Sequence, residues 1–87
     1  MAYQIEFTEA ARRDLRTLQR DLLLRVNTRI LNLADNPRPR GTETLQGSRG
    51  LRRLRIGDYR IIYAPDDPQE VVTIARVRHR RDVYRGL

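Results

Sequence analysis

The chain has 87 residues, no cysteine, one histidine and a formal net charge of +7. That length bounds it to a single domain, residues 1–87, which removes about 60–65% of its unfolded surface from water, so its core is thin and any site is an open groove, not a walled cavity. Without thiols there is no disulfide staple and no thiolate nucleophile, and a lone imidazole argues against a dedicated transition-metal site.

All 18 basic side chains are arginine. Arginine offers a flat fork that matches phosphate bidentately and stacks on bases. It stays protonated, so it cannot serve as a general base. Residues 1–45 hold eight arginines against six acids, and residues 46–87 hold ten against five. A basic half of this kind predicts a polyanionic partner: RNA, DNA or an acidic protein. The longest apolar runs, such as residues 61–64, fall far short of the roughly 20 residues of a membrane span. A cytoplasmic location, no membrane partner, no metal and no cofactor are therefore expected.

Tyr3, Ile5 and Phe7 alternate with Gln4 and Glu6, which predicts a short half-buried strand. Thr8 reads as a helix N-cap, with Glu9 at the positive helix end. Ala11, Leu15, Leu18 and Leu22 follow at helical spacing, and the first helix is expected over about residues 9–19. Arg12, Arg16 and Arg20 form its solvated stripe. A second helix begins near Asp21 and aligns Leu23, Val26, Ile30 and Leu33 until Asn36-Pro37 stops it. The two make a helical hairpin.

Residues 37–50 read as a loop punctuated by proline and glycine. From Leu51 to Ile56 the pattern alternates, with Leu54 and Ile56 on one side and Arg53 and Arg55 on the other. Gly57-Asp58 is a hairpin turn. Tyr59 to Ala64 is rich in β-formers, Pro65 to Pro68 turns, and Val71 to Val77 is the last strand. Arg78 to Leu87 is a basic tail with room for one helical turn. The order β-α-α-β-β-β predicts an α+β fold: a small antiparallel sheet of the three C-terminal strands, joined by the first, with the helical hairpin packed on one face. The other face is open, and Arg53 and Arg55 point to it.

Two arginine clusters fall at the ends of neighbouring strands: Arg49, Arg52, Arg53, Arg55 and Arg60, then Arg76, Arg78, Arg80, Arg81 and Arg85. Tyr59, Tyr63, His79 and Tyr84 are interleaved with them. Basic and aromatic side chains together suit a single-stranded nucleic-acid groove, where bases stack and phosphates pair with arginine.

Several stretches resemble the RelE/ParE toxin superfamily. They are Leu54-Arg55-Ile56-Gly57-Asp58-Tyr59-Arg60-Ile61-Ile62-Tyr63 and the terminal Arg76-Val77-Arg78-His79-Arg80-Arg81-Asp82-Val83-Tyr84. Tyr3 to Phe7 with Ala10, Ala11, Asp14, Leu15 and Leu18 resembles the family's opening strand and helix. Asn36-Pro37 followed by Leu45 and Gly47 resembles its connection. The resemblance implies a RelE-like fold and a toxin of a type II toxin–antitoxin pair, neutralised by a cognate antitoxin. It implies ribosome-dependent endonuclease action on mRNA for RelE-type members, gyrase inhibition without RNase activity for ParE-type members, and operator DNA as a partner reached through the antitoxin complex.

The same resemblance assigns catalytic roles to Arg60, Arg80 and Tyr84, and RNA contacts to Arg53 and Arg55. Arg52, Arg78 and Arg81 complete the expected phosphate-binding set. One basic position of RelE proper falls on Leu51, and the lysines used there have no counterpart here. The implied chemistry is attack of the ribose 2′-OH on the neighbouring phosphate with expulsion of the 5′-oxygen, which needs no metal. Arginines suit the developing phosphoryl charge. The proton acceptor must be another group, and the candidates are His79, Tyr84, Asp58 and Asp82. A toxin that has lost activity and keeps only its antitoxin is the remaining alternative.

Overall fold

Thr8 turns the chain from the first strand into the first helix. Its hydroxyl accepts from the Ala11 N–H at 3.0 Å and donates to the Ala75 carbonyl at 2.8 Å, so one side chain caps a helix and ties it to the last strand. The computed structural model describes residues 2–47 and 50–81. Its elements are β1 (Gln4–Phe7), α1 (Glu9–Arg16), α2 (Arg20–Asn32), β2 (Glu43–Thr44), β3 (Arg52–Ile56), β4 (Tyr59–Asp66) and β5 (Val71–His79). The α+β class and the helical hairpin follow the sequence expectation.

The sheet order is β1-β5-β4-β3-β2. β3, β4 and β5 form the expected antiparallel meander, whereas β1 joins β5 in parallel, Gln4 opposite Val71 through Phe7 opposite Ile74. Alternation carries no strand direction, so the pattern of β1 could not decide this. β2 is an addition inside the expected loop, two residues long, pairing Glu43 with Arg53 and Thr44 with Arg52. β4 runs on through Pro65, which the turn residues had argued against. At Pro65 the ladder faces β5 alone, because β3 pairs β4 no further than Arg52 with Tyr63, so the missing N–H interrupts nothing on that side.

α1 ends at Arg16, short of the expected boundary. The Thr17 N–H and hydroxyl both bond the Asp14 carbonyl, at 3.1 and 2.7 Å, and close the last turn. The core joins Ala11 of α1 and Val26, Ile30 and Leu33 of the α2 end to Leu54, Ile56, Ile61, Tyr63, Val72, Ile74 and Val77 of the sheet. Tyr63 is fully buried, and its hydroxyl donates to the Pro37 carbonyl at 2.7 Å, pinning the chain after α2. At the rim, Tyr3 and Arg38 both donate to Asp67 and hold its carboxyl below the usual range.

β1 covers β5 only as far as Ile74. Beyond it, α1 takes over the edge. The Asp14 carboxylate accepts from the Val77 N–H at 2.9 Å and from Arg76 Nε at 2.9 Å, and is itself largely buried. Asp14→Ala strands a backbone donor and a guanidinium together, and is expected to lower stability by about 2 kcal/mol. Asp14→Asn keeps an acceptor and should lose less. Urea midpoints of the two variants check this; midpoints equal to the parent's would contradict it.

Candidate nucleic-acid interface

The open face of the sheet is built by one tight turn and one bulge. Gly57 has φ +56°, and Asp58 stays on the negative side, the combination of a type II′ hairpin turn. A two-residue loop locks the register of β3 on β4 and sets Arg55 opposite Arg60. β5 then pairs Arg60 with Arg78. A row of three arginines thus crosses three neighbouring strands: Arg55, Arg60, Arg78.

The row faces away from the helices. Leu54 and Ile56, which flank Arg55, are core residues, and so is Ile61, which follows Arg60. On β5 the phase depends on the bulge. Tyr63 pairs with Ile74 and Ile62 with Arg76, so Ala75 is an extra residue without a partner. A one-residue insertion flips every later side chain to the opposite face. Val72 and Ile74 therefore point into the core before Ala75 and Val77 does after it, and Arg76 and Arg78 are turned outward.

A second row lies beside the first: Arg53, Ile62, Arg76. Ile62 is 0% exposed yet belongs to no part of the helix-side core. Register places arginines on both sides of it, and their aliphatic stems suit its burial. Arg53 pairs with Glu43 and Arg76 with Asp14. Among the described residues no ion pair reaches Arg55 or Arg78. The Arg60 guanidinium bonds back to the Tyr59 carbonyl at 3.2 Å, over the hairpin turn.

Like charges set directly opposite on one sheet face are destabilising. Adjacent strands lie about 4.8 Å apart, so the backbone of the row spans about 10 Å. Arginine donors at this spacing suit an anion, and a phosphodiester matches their bidentate geometry.

The other expected site residues are spread more widely. Arg80 follows β5, is exposed, and donates its N–H to the Asp58 carbonyl at 2.7 Å, which sets it beside the turn that carries Arg60. Arg81 is exposed next to it, its N–H donating to His79 Nδ1 at 3.3 Å. His79 is in register with Tyr59 and meets its ring edge-on, centroids 5.5 Å apart. The row Ile56, Tyr59, His79 has the helix-side phase, so the imidazole is not brought together with Arg60 and Arg78. Arg52 is opposite Tyr63, also in the helix-side phase, and bonds Thr42 and Thr44. Tyr63 is core. Tyr84, Asp82, Arg49 and Arg85 lie outside the described residues.

Asp14 is the residue the sequence reading passed over, although a signal existed. With Ala11, Leu15 and Leu18 it occupies one helical face, and a carboxylate inside an apolar stripe must find a partner on burial. No helix among the described residues is long and apolar enough to cross a membrane. Nor does any group of three His, Cys, Asp or Glu among them converge to hold a metal ion.

A family model described as the ParE toxin of the type II toxin–antitoxin system parDE matches residues 5–84. The chain belongs to the RelE/ParE superfamily of type II toxins. The toxin is 38% identical over 86 residues to Toxin RelG of Mycobacterium tuberculosis, covering 98% of this chain and 99% of that one. Its fold superposes with a TM-score of 0.80 on a chain of the RelBE2 toxin–antitoxin complex of the same bacterium, at 34% identity over 91% of this chain and 99% of that one. The archaeal RelE–RelB complex of Pyrococcus horikoshii gives a TM-score of 0.80 at 27% identity, covering 92% of this chain and 97% of that one.

Proposed function

We propose that the toxin is an endoribonuclease that cuts mRNA on the ribosome. The observation that carries this reading is the in-register row Arg55, Arg60, Arg78 on the open sheet face. A sheet face that carries a row of arginines suits a single strand presented by a larger particle. The row grips the scissile phosphate and the phosphate on either side of it. The ribose 2′-OH attacks phosphorus, the P–O5′ bond breaks, and a cyclic phosphate and a 5′-hydroxyl result. The proton lost by the 2′-OH and the proton gained by the 5′-oxygen leave net charge unchanged. Arginine donors stabilise the extra negative charge that the phosphoryl oxygens carry between these states. With His79 in the helix-side phase, Tyr84, Asp82 and Asp58 are the proton carriers to test, and Arg80 is the further arginine to test beside Arg60.

Relatives of known structure include toxin–antitoxin complexes, which supports a cognate antitoxin as the toxin's protein partner. Operator DNA is reached through that complex. Three arginines neutralising three phosphates predict that the logarithm of single-strand RNA affinity falls with the logarithm of salt at a slope of about −2. Fluorescence anisotropy across a salt series checks this. A slope near zero would remove the row from RNA binding.

The ParE-type reading, gyrase inhibition without RNA cleavage, is favoured by the family model and by Leu51, which stands where RelE proper has a basic strand residue. Purified ribosomes carrying a short message separate the two. RelE-type action cuts the message and leaves gyrase supercoiling untouched, whereas ParE-type action does the reverse.

A further inference from the structure

β5 loses its neighbour β1 at the residue where it bulges. β1 pairs it only through Phe7 opposite Ile74, and the Thr8 N–H then bonds the Ile74 carbonyl at 3.0 Å. Ala75 has no partner on β4, and Ile62 resumes the ladder with Arg76. Beyond Ile74 the outer edge of β5 needs partners that are not a strand. α1 supplies them from both its ends. The Thr8 hydroxyl donates to the Ala75 carbonyl at 2.8 Å, and the Asp14 carboxylate accepts from the Val77 N–H at 2.9 Å.

These bonds are specific to the bulge. In an unbroken strand alternate residues face the same edge. The Glu70 and Ile74 carbonyls face the β1 edge, where they accept from the Gln4 and Thr8 N–H groups, so Arg76 would be next. The extra residue brings Ala75 and Val77 there instead. Burial of Ile74 and Val77, three residues apart, calls for one extra residue between them, and the Thr8 bond selects Ala75 over Arg76. Counting on from Tyr63 opposite Ile74 without it, Arg60 would face Val77, and Arg78 would face Tyr59 in the helix-side phase. We infer that Thr8 and Asp14 are positioning residues for the arginine row. They hold the bulge and the strand end after it, and so keep Arg78 opposite Arg60 on the open face. This role rests on the Arg55, Arg60, Arg78 row being the RNA contact.

The test measures binding of a short single-stranded RNA to the whole toxin by fluorescence anisotropy. Arg78→Ala is expected to weaken binding on the order of 10-fold, the loss of one charge-assisted contact. Asp14→Ala removes a negative charge, so electrostatics alone gives tighter binding. Positioning gives the opposite, a loss on the order of fivefold. Thr8→Gly leaves the charge unchanged and keeps an accepted N-cap residue, and should lose on the order of threefold. Both losses should vanish in the Arg78→Ala background, and Asp14→Asn and Thr8→Ser should recover most of the affinity. Hydrogen exchange at the Val77 amide should quicken in Asp14→Ala and stay slow in Asp14→Asn. Circular dichroism verifies each fold, and Thr8→Gly carries the cycle by itself should Asp14→Ala unfold. Undiminished RNA affinity in the folded clamp variants, or an equal loss with and without Arg78, overturns the positioning role and leaves the RNA reading intact. Parent affinity in Arg78→Ala overturns both.

Discussion

Replacing Arg60 and Arg78 together by alanine is expected to abolish growth arrest while leaving the fold standing. Each donor that meets charge developing in a transition state is worth about 100- to 1,000-fold in rate, so the pair should remove about 10⁴ or more. Arg60 and Arg78 sit opposite each other on the sheet face away from the helix-side core, so the double variant is expected to keep the parent fold. Loss of activity with a retained fold identifies a functional site. A double variant that stays fully toxic, or one that melts well below the parent, would contradict this.

The largest stability effect is expected at Tyr63. It is fully buried, sits in β4 between β3 and β5, and anchors Pro37 through its hydroxyl. Tyr63→Ala removes a ring from the core and should cost about 3–5 kcal/mol. A small domain has only about 5–10 kcal/mol to lose, so the variant should be largely unfolded at moderate temperature. Tyr63→Phe keeps the ring and leaves the Pro37 carbonyl without its donor, an expected loss of about 1 kcal/mol and a fall of about 4–8 °C in Tm. Both are best made in the Arg60→Ala background, which permits production without arrest. Equal melting of Tyr63→Phe and its background would show that the hydroxyl does not hold the loop.

Much of the fold was legible because local chemistry and burial agree. Thr8 caps, Leu54 and Ile56 alternate with Arg53 and Arg55, and Gly57 supplies the turn. What was not legible depends on partners distant in sequence. The direction of β1 is set by where the helical hairpin returns the chain. β2 exists only because Arg53 and Arg52 are there to pair it. The bulge at Ala75 leaves no mark in a run of β-formers, yet it decides which way Arg76 and Arg78 face. For that reason the sequence alone could nominate both terminal arginine positions but could not see that Arg78 stands opposite Arg60, with Arg80 beyond the strand end. The imidazole of His79 looked well placed by its arginine neighbours in sequence, and the same register puts it with Tyr59 in the helix-side phase.

The most direct measurement is a map of mRNA 5′ ends after the toxin is induced alone in a bacterial host, beside the Arg60→Ala, Arg78→Ala variant. New ends inside translated frames, present with the toxin and absent with the variant, are the predicted result. Growth arrest with intact messages and stalled DNA replication would contradict it and assign the toxin to gyrase.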